Sequence, residues 1–306
     1  MNLNNKPSTV TRFAWLSIAA AITTIAIKVG AYFLTGSVGL LSDAMESGIN
    51  LIGALMALSM LIIAIRPADE DHPYGHSKAE YFSSAVEGML ILVAAVGIGI
   101  ASVQRFIYPK PLEQVGFGLV LSTIASLINL FVSLVLFKAA KKHHSITLEA
   151  DAKHLMTDVW TSGGVIVGVA AVSISGWQRL DPIVAFFVAC NIVWSGVGIV
   201  RKSISGLMDA ALPVETQNAI QKVLEQYEQL GIHFHALQTR QAGARQFVSV
   251  HVLVPGEWTV QRGHELLERI EADLRNTIHG VIVSTHLESL DDPASWEDID
   301  LDRPGK

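Results

Sequence analysis

Six apolar runs, each long enough to cross about 30 Å of hydrocarbon at about 1.5 Å per residue, constrain this chain more than anything else in it. They fall at roughly 13–34, 38–65, 79–107, 115–138, 148–174 and 180–204. Lipid offers no water to an unpaired backbone group, so each run must close its hydrogen bonds internally, as a helix. With 50% hydrophobic and only 16% charged residues in 306, the chain reads as a polytopic membrane protein. Turn chemistry separates the runs: Thr35-Gly36-Ser37, Arg66-Pro67, Tyr108-Pro109-Lys110-Pro111, Lys141 to Ser145, and Ser175-Gly176-Trp177. An even number of spans places both termini on one side. Lys6, Arg12, Arg66, Lys78, Lys138, Lys141, Lys142, Arg201 and Lys202 flank that side, against Arg105, Lys110 and Arg179 on the other. Lys and Arg collect on the cytoplasmic face, so both termini are expected there. The first run, behind the polar segment 1–12, has no small-residue cleavage site and is expected to be a retained span.

Several classes drop out. The net charge is -6, with acids gathered around Asp69 to Asp71 and after Asp209. No basic tract points to nucleic acid. The single Cys190 allows neither a disulfide framework nor a thiolate cluster and is expected to be a packing residue. There is no HExxH-type helix motif, and the chain is not expected to be an enzyme.

From about Leu207 the pattern becomes that of a soluble domain. Residues 213–230 have helical periodicity with Pro213 near the start. Residues 235–240 and 246–254 alternate as strands, 260–276 form an amphipathic helix, and 281–288 alternate again. The expected fold is mainly α: six transmembrane helices within 13–206, then a small α+β domain over 207–291 in the order α-β-β-α-β, ferredoxin-like. So small a domain buries little core, and dimerisation is the expected remedy. The tail, 292–306, is acidic, carries Pro293 and Pro304, and is expected to be disordered. Gly97, Gly99, Ser195, Gly196 and Gly198 are small residues that permit close helix approach in the third and sixth spans.

Ionisable groups inside a span are costly and usually face a polar interior. Asp151, His154 and Asp158 stand three and four apart, as do Asp43, Glu46 and Asn50. Positions four apart share a helix face, so His154 and Asp158 make a divalent-metal half-site. Facing helices would bring together Glu46, Asn50, His154 and Asp158. Taken singly, a buried His is more often a packing residue and a buried Asn a tie between helices. The two halves together favour a metal. Asp43 and Asp151, one turn away, would add charge behind the ligands, although Asp43 suits a solvated helix end equally well. His154 titrates near neutral pH unless strongly perturbed, which makes it, with Asp158, the candidate for coupling to protons. Lys28, Glu87 and Asn129 are further polar residues at membrane depth. Glu87 suits either the lining of a cytoplasmic vestibule or pairing with a neighbouring helix, and the second is expected. In the loop after the second span, Asp69, His72 and His76 have metal-ligand spacing, with a solvated loop as the even alternative. In the soluble domain, alternation leaves His286 and Glu288 on one strand face. His143, His144, His233 and His279 match no pattern and are read as solvated.

Several of these motifs occur in an order that resembles the cation diffusion facilitator family, six-span dimeric transporters exchanging divalent metal for protons. The resemblance covers roughly 13–290: Lys28 through Asn50, the loop Asp69-Glu70-Asp71-His72-Pro73-Tyr74-Gly75-His76-Ser77-Lys78-Ala79-Glu80, Asp151 through Gly164, and Thr239-Arg240-Gln241-Ala242-Gly243. It implies a transport site at Glu46, Asn50, His154 and Asp158, between the second and fifth spans. It implies a second, cytoplasmic metal site at Asp69, His72 and His76, and a binuclear site at His235, His251, His264, His286 and Glu288. Lys78 and Asp209 resemble a charge pair that interlocks two protomers. The implied setting is a homodimer in the bacterial inner membrane, with protons as counter-substrate. Zn2+ is the metal expected first, with Fe2+, Co2+, Cd2+ and Mn2+ left open. Close zinc and iron relatives carry two aspartates, or a His and an Asp, where this chain has Glu46 and Asn50, and an Asp is common where it has Glu288. The first departure keeps a second reading open, a member of the family that senses or scaffolds metal without transporting it.

Overall fold

A computed structural model describes residues 7–35, 38–108, 115–177, 179–278 and 280–296. The expected turns at Gly36-Ser37 and 109–111 fall outside the described residues, as does His279. The chain divides into two compact units, Met1–Ser205 and Gly206–Lys306.

The first unit is six helices: α1 (Pro7–Thr35), α2 (Val38–Ala64), α3 (Ala79–Ile107), α4 (Val115–His143), α5 (Ile146–Ser175) and α6 (Leu180–Leu207). Four described stretches are long and apolar enough to cross a membrane: Val10–Gly30, Ala79–Ile107, Thr123–His143 and Pro182–Leu207. In α2 the described apolar stretch is the shorter Leu51–Ala64, and the first half of α5 holds Glu149, Asp151, Lys153, His154 and Asp158. Packing accounts for that polarity, because α5 lies against α1, α2, α3 and α4. Its polar side chains therefore face protein, and Asp151 and His154 are buried. Apolar side chains such as Val93, Phe131, Phe187 and Trp194 cover the exposed surface, as a lipid-facing exterior requires.

Gly88 of α3 and Gly196 of α6 leave no room for a side chain against the facing helix. A Cβ on Gly88 would sit 2.8 Å from Val200 Cγ2, and one on Gly196 would sit 2.9 Å from Leu92 Cγ. Of the small residues singled out above, Gly196 marks such a contact, whereas Gly97, Gly99 and Gly198 meet nothing within 4 Å among the described residues. Buried polar groups are tied across helices. Ser17 Oγ donates to Asp151 Oδ1 at 2.9 Å, and Ser145 Oγ donates to Glu80 Oε2 at 2.5 Å. Glu87 departs from expectation: its Oε1 accepts from Ser83 Oγ at 3.1 Å, one turn earlier in its own helix. Cys190 is exposed on α6 rather than packed.

The second unit runs α7 (Val214–Glu228), β1 (His233–Ala242), β2 (Arg245–Val254), α8 (Val260–Thr277) and β3 (Val281–Ser289), the expected α-β-β-α-β order. The strands lie in the order β1-β2-β3. The β1–β2 pair is an antiparallel hairpin and β2–β3 is parallel. The two-residue hairpin turn needs a positive φ, which Gly243 supplies at 57°. Alternation decides the faces: Val248, Val250, Val252 and Val254 are buried with Ile220 and Leu224 of α7 and Leu266, Ile270 and Leu274 of α8. The odd-numbered residues of β2 point to the opposite face, where Ser249 is exposed and His251 half-buried while Leu253 is buried.

The tail does not begin as expected. Pro293–Trp296 form a 3-10 turn, because Asp292 Oδ1 accepts from Ala294 N at 2.9 Å and Asp292 O accepts from Ser295 N at 3.1 Å. Residues 297–306 lie outside the described residues.

Candidate metal sites

In the membrane unit, the helical repeat of α5 sets His154 one turn before Asp158. His154 is buried, and Asp158 Oδ2 accepts from Asn129 Nδ2 on α4 at 3.1 Å. Asn129 drew notice in the sequence only as a polar residue at depth. Its partnership with Asp158 bridges 29 residues and has no local signal. The side chains of Asp43, Glu46 and Asn50 lie outside the described residues. The α2 backbone that carries them is helical and packs against α5. Asp151 is bonded to Ser17 of α1, while Lys28 Nζ donates to Ser47 Oγ on α2 at 2.7 Å.

The second group lies in the turn between α2 and α3. Gly75 N donates to His72 O at 2.8 Å, and φ at Gly75 is 81°, so the chain doubles back and brings the His72 and His76 ring centroids to 4.4 Å, the planes tilted by 44°. Asp69 Oδ1 lies 3.2 Å from His72 Nδ1, and Asp69 Oδ2 lies 3.3 Å from His76 Nε2. Donor atoms of all three residues fall within 4.8 Å of one another. The His72 backbone N–H, donating to Asp69, holds that carboxyl below the usual carboxylate range, helped by the His72 side chain and the charges of His76 and His72. His76 Nδ1 faces the carbonyl of Pro67 at 3.2 Å. A carbonyl only accepts, so His76 donates from Nδ1 to Pro67 and its Nε2 faces the carboxylate of Asp69. An imidazole fixed through its other nitrogen is how metal-binding histidines are usually held. The donor set fits a divalent transition ion.

The third group is on the open face of the sheet. Strand register pairs His235 with His251 and His251 with His286, which lines three imidazoles across three strands. Two residues beyond His286 on the same face, Glu288 reaches back among them. Its Oε2 is 2.7 Å from His235 Nε2, and its Oε1 is 3.2 Å from His251 Nδ1 and 3.5 Å from His286 Nε2. Donors of His235, His251 and Glu288 all fall within 4.8 Å of one another, whereas His286 stands at the exposed edge. His235 Nδ1 is buried without a hydrogen-bond partner among the described residues, and the imidazole–carboxylate set suits a transition ion. His264 does not join them within one chain. Gly263, Leu266, Ile270 and Leu274 are the buried residues of α8, so His264 is exposed in the helical layer while the cluster occupies the far face of the sheet.

Asp209 accepts from Arg240 Nη1 at 3.1 Å within the second unit, and Arg240 stacks over Phe247 at 4.4 Å. Lys78 is half-buried and directly precedes α3. His233 and His144 are exposed, and the His143 ring lies 6.1 Å from Phe13.

Comparison with known proteins identifies both units of the chain. The family model for the cation efflux transmembrane domain matches residues 14–208, and that for the cation efflux protein cytoplasmic domain matches 212–290. An uncharacterized transporter of Synechocystis is 52% identical over 288 residues, covering 94% of this chain and 93% of its own length. The cation-efflux pump FieF of Klebsiella pneumoniae is 29% identical over 289 residues, with the same coverage. That of Salmonella arizonae is 27% identical over 277 residues, covering 90% and 92%. The chain belongs to the cation efflux, or cation diffusion facilitator, family of membrane transporters.

Proposed function

We propose that this chain exports a divalent cation across the bacterial cytoplasmic membrane in exchange for protons. It would work as a homodimer, with both termini and the second unit in the cytoplasm. The observation that carries this reading is the placement of His154 and Asp158 one turn apart on α5, the helix most enclosed by its neighbours and packed against the helix of Glu46 and Asn50. Metal binding needs a neutral imidazole and an ionised carboxylate, so the same two groups hold either protons or metal. Alternating access follows: metal enters from the cytoplasm, displaces a proton, and is replaced by external protons. Moving one elementary charge against the potential costs about 2.3 kcal/mol per 100 mV, and proton counterflow reduces that cost. With Asn50 neutral, Glu46 and Asp158 supply two negative charges, enough to balance one divalent ion.

Zn2+ is the proposed cargo, its preference for imidazole and carboxylate matching the set. Fe2+, Co2+, Cd2+ and Mn2+ are the other members of the panel to test. The turn site at Asp69, His72 and His76 and the open-face group at His235, His251, His286 and Glu288 are proposed as cytoplasmic sites, the latter regulatory. Lys78 and Asp209 are proposed to pair between protomers, with Arg240 steadying Asp209. The test is metal-driven proton flux in proteoliposomes over that panel. His154→Ala and Asp158→Ala are expected to abolish flux, and flux at wild-type rate in either variant overturns the site. Wild-type protein that binds Zn2+ yet moves no proton would instead support the sensing reading.

A further inference from the structure

The strap after β3 ends on the open-face cluster. Leu290 N donates to Val254 O at 2.8 Å, Gly256 N donates to Asp291 Oδ2 at 2.9 Å, and Asp292 caps the 3-10 turn. Trp296 Nε1 then donates back to Leu290 O at 3.2 Å. This places the indole 6.0 Å from the His235 imidazole, centroid to centroid, with the planes tilted by 40°. Exposure of the cluster is uneven. The His235 and Glu288 side chains are 7% and 9% exposed, His251 is 22% and His286 is 66%. The group is open to water at its His286 edge and closed at its His235 edge, where the indole lies.

We propose that Trp296 is a wall of the His235, His251 and Glu288 group that selects borderline transition cations over hard ones and slows their release. The proposal rests on the reading of that group as a metal site. An indole has no lone pair to offer a cation, and its single N–H is already committed to Leu290. On that side the indole, itself 46% exposed, stands where water or a protein oxygen would otherwise help complete the six- to eightfold oxygen shells of Mg2+ and Ca2+. A tetrahedral ion needs only the three donors and one ligand from the His286 side. Closing the His235 edge also keeps out water that would replace the imidazole during departure. Trp296 thus acts through His235, as a positioning residue.

The test uses the full-length protein in detergent, loaded with Co2+. The visible absorption of the bound ion reports coordination, and excess EDTA reports release. His235→Ala should remove one component of the absorption. If that component persists, the metal reading of the group fails and the wall fails with it. With the component present, Trp296→Ala should speed its release about 10-fold, the scale of supporting residues around a metal, and let Mg2+ compete. Trp296→Phe, another donor-free ring, should restore slow release. Trp296→Gln keeps an N–H for Leu290 but no ring, and so separates the wall from the strap. A His235-dependent component that leaves the glutamine variant as slowly as wild type, with no Mg2+ competition, overturns the wall and leaves the site standing.

Discussion

Asn129 on α4 donates to Asp158 on α5 at 3.1 Å, so a neutral amide on one helix orients the carboxylate that another helix brings to the proposed transport site. Groups that orient a ligand set its effective affinity more than the turnover of the carrier. Asn129→Leu is expected to lower apparent metal affinity about 10-fold while sparing the maximal rate. Concentration dependence of uptake into inside-out vesicles measures both. An unchanged half-saturation concentration would remove Asn129 from the site.

Two glycines of α3 make opposite predictions. A Cβ on Gly88 would come within 2.8 Å of Val200 Cγ2 and 3.2 Å of the Val200 backbone N, which cannot rotate away. Gly88→Ala should therefore cost about 1–3 kcal/mol. Gly99 meets nothing within 4 Å among the described residues, and Gly99→Ala should gain about 0.5–1 kcal/mol from helix propensity. Thermal unfolding of the two variants in one detergent decides whether α3 and α6 meet where the glycines indicate.

Tyr227 of α7 donates its hydroxyl to Asp273 of α8 at 2.6 Å. Burial first, then that hydrogen bond and the Asp273 charge, push the phenol up to about 12. A folded-state value above the unfolded one near 10 means that folding holds the proton. The contribution is complete below about pH 10 and is lost as pH rises through about 12. Tyr227→Phe should weaken the second unit by about 0.5–1.5 kcal/mol at neutral pH and flatten its stability between about pH 10 and 12. Denaturant titrations followed by amide exchange on α7 and α8 would show it. A steep alkaline loss in the phenylalanine variant would assign the effect elsewhere.

Metal should stabilise the sheet by mass action. At about 100 times the dissociation constant, an ion that binds only the folded unit adds roughly 2.7 kcal/mol. Zn2+ should then slow amide exchange along β1, β2 and β3, and EDTA should reverse it. Glu288→Ala, which removes the carboxylate common to all three imidazoles, should abolish the difference. Undiminished Zn2+ protection in that variant would place the bound ion elsewhere.

The helical framework was legible because lipid-length apolar runs admit one backbone solution, and the second unit because alternation of period two differs so clearly from the helical period. That same alternation placed His286 and Glu288 on one face, and strand register then delivered His235 and His251. His264 was not placed by it: a helix position exposed in the opposite layer has the same letter as a ligand. The Asn129–Asp158 hydrogen bond depends on how α4 rotates against α5, which no spacing within either helix encodes. Trp296 sits in a stretch whose acids and prolines resemble a tail. The cap at Asp292 becomes visible only through the main-chain donors it satisfies.

His235 and Glu288 are separated by 53 residues, and the strand bearing Glu288 is the last of the three in the sequence. An ion gripped by both cannot be captured while the polypeptide is half made. An ion bound at the proposed site would therefore report that the parallel strand has docked, and would hold the first and last strands together like a clasp. Loss of the ion would loosen the sheet at the strand through which the closing contact arrived.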